Sequence, residues 1–394
     1  MFILKNKSMR NVVLFSFFNA FALERAIFFI FFTRSGHRPA EIAILQTTFF
    51  LSVFLFEIPT GFFADMFGKK ISLIIGTLLK ALSLVIQVHV VERFPSLFLA
   101  FILYALSFAF ISGSLSAIMF EKLKEDSETE RYMKCAAFVE LIDSLSLAVA
   151  MIFGPLVKEY FDWNGVYYLT AVANVFAAFF IYFVPNKVGV TSQKVDIDRI
   201  SSLRNFFQTA KSIFWKVLPL SLVHACMTPI FINSQLLYSE LGENLSAIGM
   251  GIGITEIVSA LYVYLFAKSR RDFDQPLFLQ LATLFTALVA VNFVGSFYLS
   301  LLSLALIGII AVYLTISFQN YTQHQINDDG IRASVLSFIS FLDTIFIAGG
   351  SMAFGIFTEH FSVKVSIGLL GLFPLAGVLI TLFQMKGNED VVEA

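Results

Sequence analysis

Charge is what this 394-residue sequence has least of. Asp, Glu, Lys and Arg make up 14% of it, where a soluble globular chain carries about 25%, so a water-soluble domain is excluded. The two signs nearly cancel, leaving a formal net charge of −1, and the overall electrostatics point to no nucleic-acid or acidic partner. Cysteine occurs only at Cys135 and Cys226, both within or at the edge of apolar runs. No disulfide framework follows, and neither a redox nor a metal centre is expected. There is no Gly-x-x-x-x-Gly-Lys-Ser/Thr loop to cradle a nucleotide, no His-Glu-x-x-His and no Gly-x-Ser-x-Gly. ATP-driven pumping and hydrolytic catalysis are therefore not expected, and the sequence calls for no catalytic residues and no cofactor. One glycosylation sequon, Asn244-Leu-Ser246, stands alone and is discounted.

What the chain has instead is apolar length. It is 58% hydrophobic and contains 48 phenylalanines, which suit side chains facing lipid. A membrane-spanning helix needs about 20 mainly apolar residues. Twelve such stretches can be placed, near 11–32, 41–63, 71–91, 97–119, 135–157, 165–185, 215–238, 246–267, 276–294, 298–320, 332–354 and 362–384. The first follows Lys5, Lys7 and Arg10 but is longer than the ~7–15-residue core of a signal peptide, so it reads as an uncleaved span. The fold expected is an all-α membrane protein.

The basic residues orient it. With the N-terminus cytoplasmic, and with Lys216, Arg332 and Lys364 at span edges counted in the adjoining segments, the cytoplasmic segments hold 20 of the 27 Lys and Arg residues and the external loops 5. The positive-inside rule then puts both termini in the cytoplasm, and an even number of spans agrees. The longest polar segment, 186–214, divides the spans six and six. Within it Ile197, Ile200, Leu203, Phe207, Ala210 and Phe214 recur at helical spacing, as an amphipathic surface helix would. The organisation expected is an N-terminal half at 1–185, a cytoplasmic linker at 186–214 and a C-terminal half at 215–394. The halves echo each other weakly: Glu57-Ile58 to Lys69 aligns with Glu256-Ile257 to Lys268, in spans two and eight. Paired halves are common in transporters.

Between spans two and three runs Gly61-Phe62-Phe63-Ala64-Asp65-Met66-Phe67-Gly68-Lys69-Lys70, preceded by Glu57-Ile58-Pro59-Thr60. The glycines suit a tight reversal and the lysines anchor it on the cytoplasmic side. This stretch resembles the loop between the second and third helices of the major facilitator superfamily, and Glu57 to Gly61 resembles its bacterial exporters. The resemblance implies twelve transmembrane helices in two pseudo-symmetric six-helix halves working by alternating access. It implies a latch role for Gly61, Asp65, Gly68, Lys69 and Lys70, with Asp65 contacting the start of span eleven near Arg332. Ala150, Gly154 and Pro155 keep part of the family's antiporter motif. Met66 stands where the loop is usually basic, and the span at 97–119 lacks the arginine usual in drug/proton antiporters.

Ionisable groups inside spans are costly and mark function by default. Asp343, Asp143 and Glu256 are the leading candidates for proton coupling, with Glu140 one turn from Asp143, and Glu24 as a further candidate. Glu24 and Arg25 would point about 100° apart on a continuous helix. Lys80 would neutralise Glu57 or Asp143. A cavity lining is suggested by polar stripes: Ser221, His224, Thr228 and Gln235 in span seven, and Tyr313, Ser317, Asn320 and His324 in span ten. Arg25, His224, Thr228, Gln235, Tyr313 and Asn320 are thus the substrate-contact candidates. The reading is a secondary transporter, proton-coupled and exporting a small organic compound: a drug, siderophore or antibiotic peptide. A nutrient importer of the same fold, or a membrane receptor or enzyme without a transport cycle, are the alternatives. The partners expected are the small-molecule or peptide substrate, protons and lipid. The expected location is a bacterial cytoplasmic membrane, with the monomer as the working unit.

Overall fold

Asparagine, proline and glycine set the helix ends. Asn6 caps α1 (Lys7–Ala20), its Oδ1 accepting from the backbone N–H groups of Ser8 and Met9 at 2.9 and 3.2 Å. Pro39 opens α3 (Pro39–Phe67), where the Glu41 carboxylate accepts from the Arg38 N–H at 2.9 Å. Gly68 alone separates α3 from α4 (Lys69–Val90); its φ of 98° and ψ of 141° suit only glycine. Asn244 of the discounted sequon caps α8 (Leu245–Phe266) through the Ala247 N–H at 2.8 Å.

The remaining helices are α2 (Phe28–Arg34), α5 (Phe94–Glu125), α6 (Tyr132–Tyr182), α7 (Arg199–Glu240), α9 (Gln275–Val291), α10 (Phe297–Gln325), α11 (Asp329–His360), α12 (Val363–Leu369) and α13 (Leu372–Val392). This computed structural model describes residues 6–125, 128, 131–185, 199–266, 274–325 and 329–392. The side chains of 133, 199–210, 212, 263, 266, 316, 319–325, 329–334, 336–337 and 386–392 also lie outside the description. Among the described residues all regular structure is helical.

Among the described residues ten helical stretches are long and apolar enough to cross a membrane. One of them, α6, is 51 residues long, roughly 76 Å at ~1.5 Å per residue, more than twice the ~30 Å of bilayer hydrocarbon. It is two spans that meet at Asp162, where φ is 58° and ψ −172°. The first span is also there, broken into α1 and α2. Counting both gives the twelve expected.

Three expectations about these elements change. Span one is not continuous: residues 21–27 leave the helix as turns. Span twelve is interrupted between α12 and α13. The amphipathic stretch before span seven is no separate surface helix. From Arg199 it is the first part of α7, since no glycine or proline precedes Pro219 to stop it; residues 186–198 lie outside the description. The phenylalanines, expected on the lipid face, go both ways. Phe62 and Phe383 are exposed, whereas Phe15, Phe29, Phe32, Phe278, Phe285 and Phe354 are fully buried.

The chain divides into two compact units, Met1–Thr191 with Gly242–Tyr264, and Ser192–Leu241 with Leu265–Ala394. In the first, α1, α4, α5 and the second half of α6 close a core around Val12, Phe15, Leu73, Ile111 and Ile181. α8 joins this unit through two glycines. A Cβ on Gly249 would lie 2.6 Å from the Pro155 ring, and one on Gly253 2.6 Å from Ile152 and 2.9 Å from the Ala148 carbonyl. Two small residues four apart let the helices approach closely. In the second unit α7 packs against α10, α11 and α13, and α13 comes up to it at Gly377, where a Cβ would lie 2.9 Å from the Pro219 carbonyl.

Asp162 supplies a stability test. Its backbone sits where essentially only glycine is comfortable, at a cost of about 1–3 kcal/mol. Asp162→Gly should keep or raise the apparent melting temperature in detergent, despite the ~0.5–1 kcal/mol entropic cost of glycine. A clear drop would show that the carboxylate holds the turn.

Candidate functional site

A helix that stops leaves its last carbonyls without intrahelical donors. α1 stops at Ala20 within an apolar run, and other helices supply the donors. Ser146 Oγ on α6 donates to the Phe17 carbonyl at 2.5 Å, and Lys80 Nζ on α4 donates to that of Asn19 at 2.6 Å. Lys80 is buried and places its charge at the negative end of the helix dipole. Within the break, the Leu23 N–H donates to Thr170 Oγ1 at 3.1 Å. The Thr170 hydroxyl has two acceptors within reach, Glu24 Oε2 at 2.9 Å and the Val166 carbonyl at 3.0 Å. Gly154 makes room: a Cβ there would overlap the Leu23 carbonyl. The unwound segment is thus held by α4 and both halves of α6.

Glu24 and Arg25 therefore sit in a turn, and the helical 100° separation expected for them does not apply. Glu24 is buried, and its charge, that of Arg25 and that of Asp143 all act on Lys80. Of the two acids expected beside Lys80, Asp143 is a neighbour; Glu57 lines a different cleft. The Arg25 guanidinium lies 5.9 Å from the Phe28 ring centroid and is attracted by Glu256, which sits by Ser144 and Glu140. Asp143 lies beside Ser16 and feels Glu140. Among the described residues Asp143 Oδ1, Ser16 Oγ and Asn19 Oδ1 are buried with no partner in good hydrogen-bond geometry, although such atoms are normally satisfied and the Ser16 hydroxyl is close enough to act on the Asp143 carboxylate. Glu140 itself is exposed. Four of the expected acids, Glu24, Glu140, Asp143 and Glu256, thus gather with Arg25 in the first unit.

The second unit holds a different arrangement. Ser221 Oγ of α7 donates to Asp343 Oδ1 of α11 at 2.5 Å. His224 Nδ1 lies 3.3 Å from Asp343 Oδ2, and its Nε2 lies 2.8 Å from Thr315 Oγ1 of α10. The Thr315 hydroxyl also reaches the Ala311 carbonyl at 2.8 Å. Gly350 explains why α7 and α11 come this close, since a Cβ there would overlap the Ala225 carbonyl. Ser221, His224 and Asp343, each expected from the sequence to matter, are brought together; Thr315, which the sequence pattern does not mark, joins them. Gln235 is buried and its Nε2 donates to the Ile232 carbonyl of its own helix at 2.8 Å. Thr228 and Tyr313 are half-buried, and the side chains of Asn320 and His324 fall outside the described residues.

The loop residues Gly61 to Lys70 belong to the first unit. Only Gly68 makes the reversal. Gly61 is helical with open space where a side chain would be, so the expectation that both glycines bend the chain is corrected: the helix simply runs on to Phe67. Asp65 is 74% exposed and 4.0 Å from Lys69 Nζ, whose closer partner is Glu121 at 2.8 Å. Lys70 Nζ lies 4.9 Å from the Tyr182 ring centroid. A cleft of about 300 Å³ opens between α3 and α5, lined by Glu57, Thr60, Gly61, Asp65, Lys69 and Ser114. The Arg332 side chain, near the expected partner of Asp65, is outside the description. Among the described residues no cluster of three or more His, Cys, Asp or Glu side chains is placed to hold a metal.

The family described as Major Facilitator Superfamily matches residues 12–350. A bicyclomycin resistance protein homolog of Haemophilus influenzae is 21% identical over 180 residues, 45% of this chain and 42% of that protein. The match thus spans less than half of the relative's length. Among solved structures, a point mutant of the nucleoside transporter NupG superposes with a TM-score of 0.78 at 14% identity, covering 96% of this chain and 99% of that one. A bacterial homolog of the human lysosomal transporter Spinster, inward-facing and unoccupied, gives 0.74 at 13% identity over 97% and 96%. The POT family transporter PepTSo gives 0.73 at 11% identity over 96% and 98%. At these identities the structures speak for the fold alone. With the twelve spans and a family match over most of its length, the chain belongs to the Major Facilitator Superfamily and is a membrane transporter of small molecules, not an enzyme.

Proposed function

We propose that this transporter exports a small organic compound in exchange for protons, by alternating access, from a bacterial cytoplasm with both termini inside. The basic residues, 20 of 27 in the segments on that side, support the orientation. Export is favoured by the stretch Glu57 to Gly61 and by the similarity to a protein named for bicyclomycin resistance. Proton coupling rests on one observation above the rest: Asp343 is a carboxylate in the middle of an apolar helix, 3.3 Å from a histidine. An acid so placed can gain and lose a proton as access alternates. Asp143, Glu256, Glu140 and Glu24 form a second acidic group, beside Arg25, on which substrate or a further proton would act. The latch role proposed for Gly61, Asp65, Gly68, Lys69 and Lys70 is supported by the exposure of Asp65, which leaves its carboxylate available to another partner.

Purified protein in liposomes with an imposed pH gradient tests the reading, with labelled bicyclomycin and ethidium as probes. Uphill movement of either probe is expected, abolished by a protonophore. Asp343→Asn should lose uphill movement yet keep probe exchange, because the amide stays neutral through the cycle. Gradient-independent movement in the wild type would rule out proton coupling. Full uphill transport by Asp343→Asn would transfer the role to Asp143, Glu256 or Glu24.

A further inference from the structure

Resting on that reading, we infer that the proton is carried not by Asp343 alone but by the His224–Asp343 pair, with the Thr315 hydroxyl as the switch that follows its arrival and departure. The Thr315 hydroxyl has one hydrogen, and the Ala311 carbonyl takes it at 2.8 Å. Its oxygen can then only accept from His224 Nε2 at 2.8 Å, so Nε2 carries a hydrogen. One hydrogen must also lie between Nδ1 and Asp343 Oδ2, 3.3 Å apart, because two lone pairs would otherwise face each other. Ser221 donates to the other carboxylate oxygen, which holds the carboxyl in place. With two hydrogens, one on Nε2 and one shared between Nδ1 and the carboxylate, the loaded pair has no net charge.

Unloading breaks the Nε2–H bond; the proton leaves to water and the electron pair stays on nitrogen. The shared hydrogen stays between Nδ1 and Asp343, and the pair is left with one negative charge. Nε2 now needs a donor. The Thr315 hydroxyl supplies it by rotating from the Ala311 carbonyl to the imidazole. Histidine is the side chain suited to this near neutral pH, and an acceptor on one ring nitrogen fixes the role of the other. Thr315 and Ser221 are positioning residues.

Few other charges reach the pair among the described residues. On α7, Lys216 and Glu240 stand 8 and 16 residues from His224, about 12 and 24 Å along the axis, and the Cys226 thiol is buried. On α11, Glu359 is about 24 Å from Asp343 by the same measure. α10 presents Tyr313 and Tyr298, α12 carries Lys364 at its start, and α13 has no described charge.

Two measurements on the full-length protein in liposomes decide. The first is an infrared difference spectrum between acid and alkaline buffer, with isotope-labelled histidine. The pair requires an imidazole change that disappears in His224→Gln, and a carboxylate change that disappears in Asp343→Asn. In the wild type both must follow one common midpoint, because the departure of a single proton changes both groups. Separate midpoints, or a His224 that does not titrate, overturn the pair. The second is ethidium movement driven by a pH gradient. Thr315→Val should slow it at least about tenfold, the scale of one lost hydrogen bond, with exchange retained. Thr315→Ser should restore it. Wild-type rates in Thr315→Val overturn the switch while leaving proton-coupled export intact. If the wild type shows no gradient-driven movement, the transport reading fails by itself, and the infrared titration still decides the pair.

Discussion

Gly350→Val should abolish recovery of folded, monodisperse protein, while Gly349→Val, one residue earlier, should leave the gel-filtration profile and melting temperature near those of the wild type. At Gly350 the first added carbon overlaps the carbonyl of Ala225, which is backbone and cannot swing aside as a flexible side chain would. At Gly349 nothing lies within 4 Å. Overpacking of a tight core costs about 1–3 kcal/mol when side chains can adjust; a backbone clash between two crossing helices leaves α7 and α11 no such adjustment. Their separation would also draw His224 from Asp343, so any surviving protein should have lost pH-gradient-driven transport. The first unit uses the same device between its own first and fifth spans, where a Cβ on Gly154 would overlap the Leu23 carbonyl. Gly154→Val should fail in the same way, and Gly113→Val, in open space, should not. Fluorescence-detected gel filtration in detergent reads all four variants. A Gly350→Val protein that elutes and melts like the wild type would show that the close crossing is not required.

How much of this was legible in the sequence depends on where the controlling groups lie. Twelve spans and a reversal between spans two and three follow from local composition, because apolar length and glycine act on their own neighbourhood, although the pattern credits both Gly61 and Gly68 with the turn that only Gly68 makes. The break in span one does not. Residues 21–27, Phe-Ala-Leu-Glu-Arg-Ala-Ile, include good helix formers and no glycine or proline, so the local pattern reads as continuous helix. The helix ends because Lys80, Ser146 and Thr170, which are 50 or more residues away in sequence, satisfy the backbone groups that unwinding exposes. Tertiary contacts of this kind override propensity without leaving a local mark. The oddity of Glu24 and Arg25 inside an apolar run was the one visible sign. Likewise Asp343 and His224 stood out as intramembrane titratable groups, but Thr315 looks like any hydroxyl in a span until the helix crossing places it on the imidazole. Gly249 and Gly253 had a readable four-residue spacing, which marks α8 as a helix that packs closely.

Lys80→Met should lower the melting temperature sharply, and Glu24→Gln should recover part of the loss. The ammonium of Lys80 is buried, donates to the Asn19 carbonyl at 2.6 Å and lies within the field of Glu24 and Asp143. Methionine keeps the length and apolar stem but leaves the Asn19 carbonyl unpaired, and leaves buried Glu24 and half-buried Asp143 without their cation. Removing one partner of a buried charge group costs about 3–5 kcal/mol, a large part of the 5–15 kcal/mol typical of a folded domain. If Lys80 acts mainly as counter-charge, neutralising Glu24 in the Lys80→Met background removes the exposed fault. The double variant should then be more stable than the sum of single losses predicts, by about 0.5–3 kcal/mol. If Lys80 acts mainly as the cap of α1, the Asn19 carbonyl stays unpaired whatever stands at position 24, and the two losses should simply add. Thermal unfolding of the four proteins in one detergent, with transport of ethidium measured in parallel, separates the two roles. Additivity within about 0.5 kcal/mol would end the counter-charge account and leave the cap. A Lys80→Met protein as stable as the wild type would remove both.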